Sequence, residues 1–304
     1  MQNRIDIVMA TYNGAAYISQ QIRSLQNQTI KDWLLLIHDD GSTDDTVSII
    51  KALAREDNRI RLIEDGKCLH NSGLNFMHTL SYSTAPYSIF CDQDDIWLEH
   101  KLEVLLNAFK NVNDKVPTAV ACNSYMYFED QELIEGKVTL SFPSSLKEAL
   151  FMNGGIQGCA IMFNKTLRDI CLNMPNYIAM HDHLLTLAAL TFGDFRRIDQ
   201  RLMLYRRHKN TVTDLIDGSK RQKAKKFWMK GKTVLDSSHL KAIISFYRKY
   251  NDIIPQSRKS IFEDFLKMRK YNRVQCVVHV LIKNYKVIGS RWILAIKILT
   301  RPFE

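Results

Sequence analysis

Tyr87-Ser-Ile-Phe-Cys-Asp-Gln-Asp-Asp-Ile-Trp97 joins a short apolar run to three carboxylates. Tyr87 to Phe90 has the length and composition of a buried strand. Asp92, Asp94 and Asp95 follow it directly, in a chain whose formal net charge is +10. Like charges crowded at a strand end repel, so the arrangement calls for a cation, a basic partner or full solvation.

The same grammar of apolar run, polar cluster and helical text repeats upstream. Ile5 to Ala10 reads as a strand, Tyr17 to Gln26 as a helix with Tyr17, Ile18, Ile22 and Leu25 on one face, and Trp33 to Ile37 as a second strand. Ser42 or Thr43 is expected to cap a helix running to about Arg55. Ile60 to Ile63 (strand), Leu74 to Ser83 (helix), Glu99 to Asn111 (helix) and Thr118 to Phe128 (strand) continue the pattern. Such alternation predicts an α/β fold with a mainly parallel sheet flanked by helices, because parallel strands need crossover connections. Ligands in such sheets bind at the carboxyl ends of the strands. Thr11-Tyr-Asn-Gly14, Asp39-Asp-Gly-Ser42 and Asp92-Gln-Asp-Asp95 each follow a strand, so all three fall on one rim. Beyond Phe142 the pattern loosens, through Gly154-Gly-Ile-Gln-Gly-Cys159, an apolar segment at Ala160 to Phe163 and a helix from His181 to Leu190.

Composition sets outer bounds. With 46% hydrophobic and 24% charged residues in 304, the chain can bury a sizeable core. The six cysteines lie at wide intervals with no C-x-x-C pair, which argues against a zinc ribbon or disulfide framework and for a reducing cytosol. Met1-Gln-Asn-Arg-Ile-Asp6 runs straight into strand-like text, so no signal peptide is expected, and no uncharged stretch approaches membrane-spanning length. Charge is segregated. Residues 201–304 hold 25 Lys+Arg against 7 Asp+Glu, a balance of +18, and subtraction from the totals of 42 and 32 leaves 17 against 25, or −8, for residues 1–200. A domain at 1–210, with halves at about 1–128 and 129–210, and a basic extension at 211–304 are expected.

D-x-D at a strand end can place two carboxylates on one side of a loop, where Mg2+ or Mn2+ takes them together with substrate phosphates. A solvated loop in which Asp94 or Asp95 caps the following helix is the simpler alternative. Asp40, on the neighbouring strand end, can accept hydrogen bonds from a base or ribose, or else shape an Asx turn. Together the clusters describe a pocket for a nucleoside diphosphate.

At these residues the sequence resembles the family 2 glycosyltransferases with the GT-A fold, and within them a bacterial rhamnosyltransferase-like branch. The resemblance rests on Met9-Ala-Thr-Tyr-Asn-Gly14, Gln21 to Gln28, His38-Asp-Asp-Gly-Ser-Thr43, Asn71-Ser-Gly73, Cys91 to Trp97, His181-Asp182 and Tyr205-Arg-Arg-His208 with Asn210, and covers roughly residues 4 to 210. It implies that Thr11, Tyr12, Asn13 and Asp40 hold the nucleoside, with Asp40 at the base. It implies Asp94 as a direct metal ligand, Asp92 as a ribose or metal contact and His208 as a residue approaching the metal or diphosphate. Asp182 matches the catalytic base of inverting members. Asp95, Trp97, Gly158 and His181 fall near the sugar or acceptor. Packing is the alternative for Trp97, a helix-terminal role for Asp182 and a structural strand-end role for His208. Arg206 and Arg207 read as phosphate contacts or as exposed surface. Where the branch commonly has an aromatic pair after the aspartate, this chain has His183-Leu-Leu185, so the acceptor wall differs.

The resemblance implies a metal-dependent, inverting transfer of a sugar, L-rhamnose from dTDP-rhamnose in the first reading, to a lipid-linked glycan in bacterial surface polysaccharide synthesis. UDP-galactose, UDP-glucose or UDP-N-acetylhexosamine are the alternative donors. Lys220 to Lys230, and the apolar text of Val274 to Leu299 punctuated by Lys283, Lys286, Arg291 and Lys297, fit a helical extension on an anionic membrane surface. The expected location is the inner face of the cytoplasmic membrane. A helical subdomain packed on the core, or on a second subunit in a homodimer, is the bland alternative. A nucleotidyltransferase would need a Gly-rich basic signature after the first strand, which Thr11-Tyr-Asn-Gly14 lacks. A nucleic-acid-binding module fits the basic half alone and not the acidic rim.

Overall fold

The computed structural model describes residues 5–152, 156–207 and 233–304. These form two compact units. The first takes the described residues of Met1–Thr139, Gly155–Met174 and Ile178–Arg207, and the second those of Leu140–Gly154, Pro175–Tyr177 and His208–Glu304.

In the first unit, β1 (Ile5–Thr11) is apolar along nearly its whole length and buried on both faces, the mark of a central parallel strand. It pairs in parallel with β2 (Trp33–Asp39) on one side and β4 (Tyr87–Cys91) on the other, and β2 pairs in parallel with β3 (Ile60–Ile63). The sheet continues through β5 (Ile96–Trp97), β6 (Thr118–Phe128), β7 (Leu133–Glu135), β8 (Ile161–Asn164) and β9 (Asp194–Arg207) in the order β3-β2-β1-β4-β8-β6-β9-β5, with β7 on β6. β8 runs antiparallel to both β4 and β6, which makes the sheet mixed.

Helices α1 (Ile18–Gln26), α2 (Thr46–Glu56), α3 (Ser72–Leu80), α4 (Lys101–Asn107), α5 (Lys165–Leu172) and α6 (His181–Phe192) flank the sheet. α1 buries Ile18, Ile22 and Leu25, one face at helical spacing. α3 begins earlier than its apolar text, because the Asn71 side chain accepts from Leu74 N and caps it. Ser42 and Thr43 do not cap α2. Ser42 Oγ donates to Asp39 Oδ2 at 2.6 Å, Thr43 N donates to Asn13 Oδ1 at 2.8 Å, and the helix starts at Thr46. β5 and the long β9 have no strand signature in the sequence: one is too short to show alternation, and the other is interrupted by charged residues.

The second unit holds α7 (Ser237–Tyr250), α8 (Gln256–Lys267), α9 (Arg273–Ile282) and α10 (Arg291–Thr300). Its core explains why it draws in residues 140–154 from far away in sequence. The Phe151 ring lies 5.3 Å from Phe265 and 5.6 Å from Tyr285, while buried Glu148 accepts from Gly289 N at 2.6 Å. Residues 175–177 join through Tyr177 N, which donates to Ser245 Oγ. Hence the break expected at 210 is not the whole division. α9 and α10 pack on one another, with Cys276, Val280, Leu294 and Ile298 buried, yet each leaves an apolar stripe in water. Val274 (67% exposed), Val278 and Ile282 (74%) follow one face of α9, and Trp292 (60%), Ile296 and Leu299 one face of α10. No helix among the described residues is long and apolar enough to cross a membrane.

The turn from α6 into β9 has one tight point. A Cβ on Gly193 would lie 1.8 Å from the carbonyl oxygen of Pro117, which is backbone and itself accepts from Asp194 N. Gly193→Ala is therefore expected to destabilise the fold by about 3 kcal/mol, measured by denaturant unfolding; an unchanged midpoint would show that the β6/β9 pairing gives way freely.

Candidate active site

Parallel pairing of β1, β2 and β4 brings their carboxyl ends to one rim, and hydrogen bonds lock the loops that follow. Tyr12 N donates to Gln93 Oε1 and Gln93 Nε2 returns a bond to Tyr12 O, both at 3.0 Å. Asn13, at φ +47°, donates its N–H to Ser42 Oγ at 2.8 Å. Thr11 Oγ1 donates to Asp39 Oδ2 at 2.7 Å. The rim thus presents the exposed Tyr12 ring above a rigid floor. Asp40 is buried, and its carboxylate accepts from the backbone of Leu69, His70 (3.0 Å) and Asn71 (3.1 Å). Its visible work is shaping the 69–71 segment beside that floor.

The acidic loop divides its three aspartates. Asp92 and Asp94 are partly exposed, whereas Asp95 is buried. Asp95 does not cap α4: β5 intervenes, the helix starts at Lys101, and Asp95 Oδ1 instead accepts from Arg206 N at 3.2 Å. Burial, reinforced by the charges of Asp92 and Asp94, pushes the Asp95 carboxyl well above the usual range. Burial and the Asp94 charge push Asp92 up to about 6.

Two buried cations stand behind this loop. Arg206 Nε donates to Asp94 O at 2.8 Å, and its other nitrogens reach Glu129 and Gln20 between the rings of Tyr17 and Tyr127. Neither the phosphate-contact nor the exposed-surface reading of Arg206 survives its complete burial. Lys101, also fully buried, donates to Cys159 O at 2.7 Å and lies 3.5 Å above the Trp97 ring. Trp97 is therefore packing beneath the rim, not an exposed wall. Lys101 escaped the sequence reading, although a signal exists: it occupies the middle of an apolar i, i+4, i+8 row with Trp97 and Leu105. Arg206 has no such signal in its charged neighbourhood.

The start of α6 faces the same region. Asp182 is the second residue of the helix and not its cap; its Oδ1 accepts from His183 N at 2.6 Å. Burial, with the negative charge of Asp92 added, raises its carboxyl to about 7 despite the helix N-terminus. His181 is buried against Phe76 (ring centroids 4.0 Å apart) and Phe90 (4.6 Å), and burial pushes its imidazole down to about 3. Gly158 makes this possible, since a Cβ there would lie 2.3 Å from His181 Nε2. His181 anchors the helix start through these aromatic contacts. His208, Asn210, Gly154, Gly155 and the basic run 220–230 lie outside the described residues.

Do these residues fit a divalent ion? Asp95 Oδ2 is buried with no hydrogen-bond partner among the described residues, and Asp92 and Asp95 approach Cys159 with ligand atoms all within 4.8 Å of one another. Carboxylates whose pKa values rise through burial and mutual repulsion are a site that a hard cation relieves. Asp92 and Asp95 supply oxygen donors of the kind Mg2+ or Mn2+ takes, with the Cys159 sulfur beside them and Asp94 on the same loop.

Comparison with known proteins agrees with this geometry. The family described as glycosyl transferase family 2 matches residues 6–170. The UDP-Glc:alpha-D-GlcNAc-diphosphoundecaprenol beta-1,3-glucosyltransferase WfgD of Escherichia coli is 29% identical over 54% of this chain and 61% of its own length. The dTDP-rhamnosyl transferase RfbG of Shigella flexneri is 27% identical over 66% of this chain and 72% of its own. The match thus spans less than two thirds of the first of these relatives. Among solved structures, S. aureus TarS 1-349 in complex with UDP-GlcNAc superposes with TM-score 0.59 at 13% identity, covering 93% of this chain and 82% of that one. The mannosyltransferase PcManGT from Pyrobaculum calidifontis superposes with TM-score 0.54 at 14% identity, covering 98% and 88%. The architecture is the GT-A fold, and the chain belongs to glycosyl transferase family 2.

Proposed function

We propose that this chain is an inverting glycosyltransferase that moves a sugar from a nucleoside diphosphate donor to a lipid-linked glycan acceptor in bacterial surface polysaccharide synthesis. The observation that carries the reading is a carboxyl at about 7 on Asp182, facing the same region as the Asp92 and Asp94 loop. A base poised near neutral pH can take the acceptor hydroxyl's proton as the new C–O bond forms on one face of the sugar. The bond to the diphosphate breaks on the opposite face, and the nucleoside diphosphate leaves with the electron pair. Thr11, Tyr12, Asn13 and Asp40 frame the nucleoside side. Asp92 and Asp94 hold Mg2+ or Mn2+, which when bound offsets negative charge on the leaving diphosphate. The Mn2+ named with the archaeal mannosyltransferase supports that cofactor class.

For the donor, dTDP-rhamnose is the first reading, supported by the Shigella relative that matches two thirds of this chain. UDP-glucose is the second, supported by the E. coli relative. A donor panel scored by nucleoside diphosphate release separates them. Asp182→Asn is expected to lower kcat by about 10³-fold with little change in donor KM. The wild-type kcat/KM should fall tenfold per pH unit below about 7 as Asp182 takes up its proton, whereas the residual rate of Asp182→Asn should be flat there. Equal turnover by wild type and variant removes Asp182 as the base.

The second unit supports attachment to the inner face of the cytoplasmic membrane. The exposed stripes of α9 and α10 are accompanied by Arg273, Lys283, Lys286, Arg291 and Lys297, the mixture of apolar and basic groups that suits an anionic lipid surface. A groove of about 680 Å³ in the same unit is lined in part by Lys241, Arg248, Lys249 and Arg269. The chain should co-sediment with anionic liposomes at low salt and release at high salt. Ile282→Ser and Trp292→Ala, both at exposed positions, should each weaken binding about tenfold or more. Failure of the wild-type chain to sediment sinks the attachment.

A further inference from the structure

His38, Asp65 and His78 converge at the far side of β2, away from the acidic loop in chemistry if not in fold. His38 is the penultimate residue of β2, Asp65 follows β3 and His78 lies on α3. Asp65 Oδ1 is 3.2 Å from His38 Nε2, and Asp65 Oδ2 is 2.6 Å from His78 Nε2. The three ligand atoms lie within 4.8 Å of one another.

The tautomer of His38 is fixed by its neighbour. Asn75, buried on α3, donates its amide N–H to the His38 carbonyl oxygen at 3.2 Å, so its own oxygen must face His38 Nδ1, 2.6 Å away. Nδ1 therefore carries a hydrogen. In the neutral ring, Nε2 is then a bare lone pair aimed at a carboxylate oxygen. Two lone pairs at 3.2 Å repel unless a cation lies between them or the ring is protonated. An Nδ1–H held by an amide oxygen, with Nε2 turned toward a carboxylate and a second imidazole, is the arrangement that orients a metal-ligating histidine.

We propose that His38 Nε2, Asp65 and His78 Nε2 form a site for a borderline transition metal, Zn2+ by donor type, separate from the oxygen-ligand site of Asp92 and Asp94. Two imidazole nitrogens and one carboxylate oxygen are three of the four ligands of tetrahedral zinc, and the side chains of His78 (16% exposed) and Asp65 (19%) leave the fourth position to water. Tetrahedral ligand atoms sit about 3.3 Å apart; the three here lie within 4.8 Å of one another and would close on an ion by side-chain movement. Tyr82 OH, which donates to Asp65 Oδ2 at 2.9 Å, and Lys67 N, which donates to Oδ1 at 3.1 Å, hold the carboxylate in place. The exposed Lys67 ammonium lies 3.9 Å from Oδ2 and can swing into water. Bound metal would tie α3 and the 64–67 turn to the strand end that carries Asp39 and Asp40, and so would brace the segment at 69–71 that Asp40 holds.

The test is a Co2+ titration of the full chain, with Mg2+ in excess to occupy the acidic loop, followed by displacement with Zn2+. One equivalent of Co2+ should give the visible absorption of tetrahedral nitrogen and oxygen ligation, and Zn2+ should abolish it. His78→Ala and Asp65→Asn should each weaken Zn2+ binding by about 100-fold or more, while Asp94→Ala leaves it unchanged. Zn2+ should raise the Tm of wild type but not of His78→Ala, whose metal-free Tm and circular dichroism establish that it is folded. No tetrahedral spectrum, or one that persists in folded His78→Ala and vanishes in Asp94→Ala, overturns the site. So does ring nitrogen NMR showing a proton on His38 Nε2 in the presence of one equivalent of Zn2+.

Discussion

A guanidinium taken out of water needs partners for its N–H groups, and Arg206 finds them on separate parts of the chain. Its nitrogens reach the carbonyl of Asp94 after β4, the side chain of Glu129 after β6 and Gln20 on α1. Its own amide rests on Asp95. The acidic loop can keep one conformation despite its internal repulsion because this side chain, with buried Lys101 behind it, supplies fixed positive charge that solvent and salt cannot screen. Remove that constraint and the three aspartates have every reason to spread apart.

Which parts of this were legible beforehand follows from how local each signal is. Strands β1 to β4 announce themselves as apolar runs, and the rule that parallel strands open their carboxyl ends to one rim places Thr11, Asp40 and Asp92 together without coordinates. Asp95 was half legible, since its crowding could be seen but its partner lies at residue 206. Lys101 drew no reading and Arg206 the wrong ones because composition cannot say that a charged side chain is buried; only the distant residues that surround it can. The apolar side chain of Phe151 gave no hint that it belongs with Phe265, Tyr285 and Phe303.

The segregation of charge along the sequence has its counterpart in the fold. The first unit gathers carboxylates where polar ends of strands meet, and holds them with hydrogen bonds from buried Arg206 to the Asp94 carbonyl and the Asp95 carboxylate. The second unit spreads its lysines and arginines over helices whose cores are aromatic, with Phe246, Phe262 and Phe265 packed inside. Each unit thus solves its own electrostatic problem with different means: the one by buried hydrogen bonds around its acidic loop, the other by exposure to water and counterions.

His181 precedes the single carboxyl of α6, and a histidine beside an acid is ordinarily a source of positive charge. Here the aromatic cage of Phe76 and Phe90, closed by the bare backbone of Gly158, keeps the imidazole uncharged at any pH the cell experiences. An imidazolium at that place would pull Asp182 back toward an ordinary carboxylate and cost it basicity. The missing side chain of a glycine on one strand entry thus acts as an insulator, shielding the proton affinity of a residue to which it has no bond.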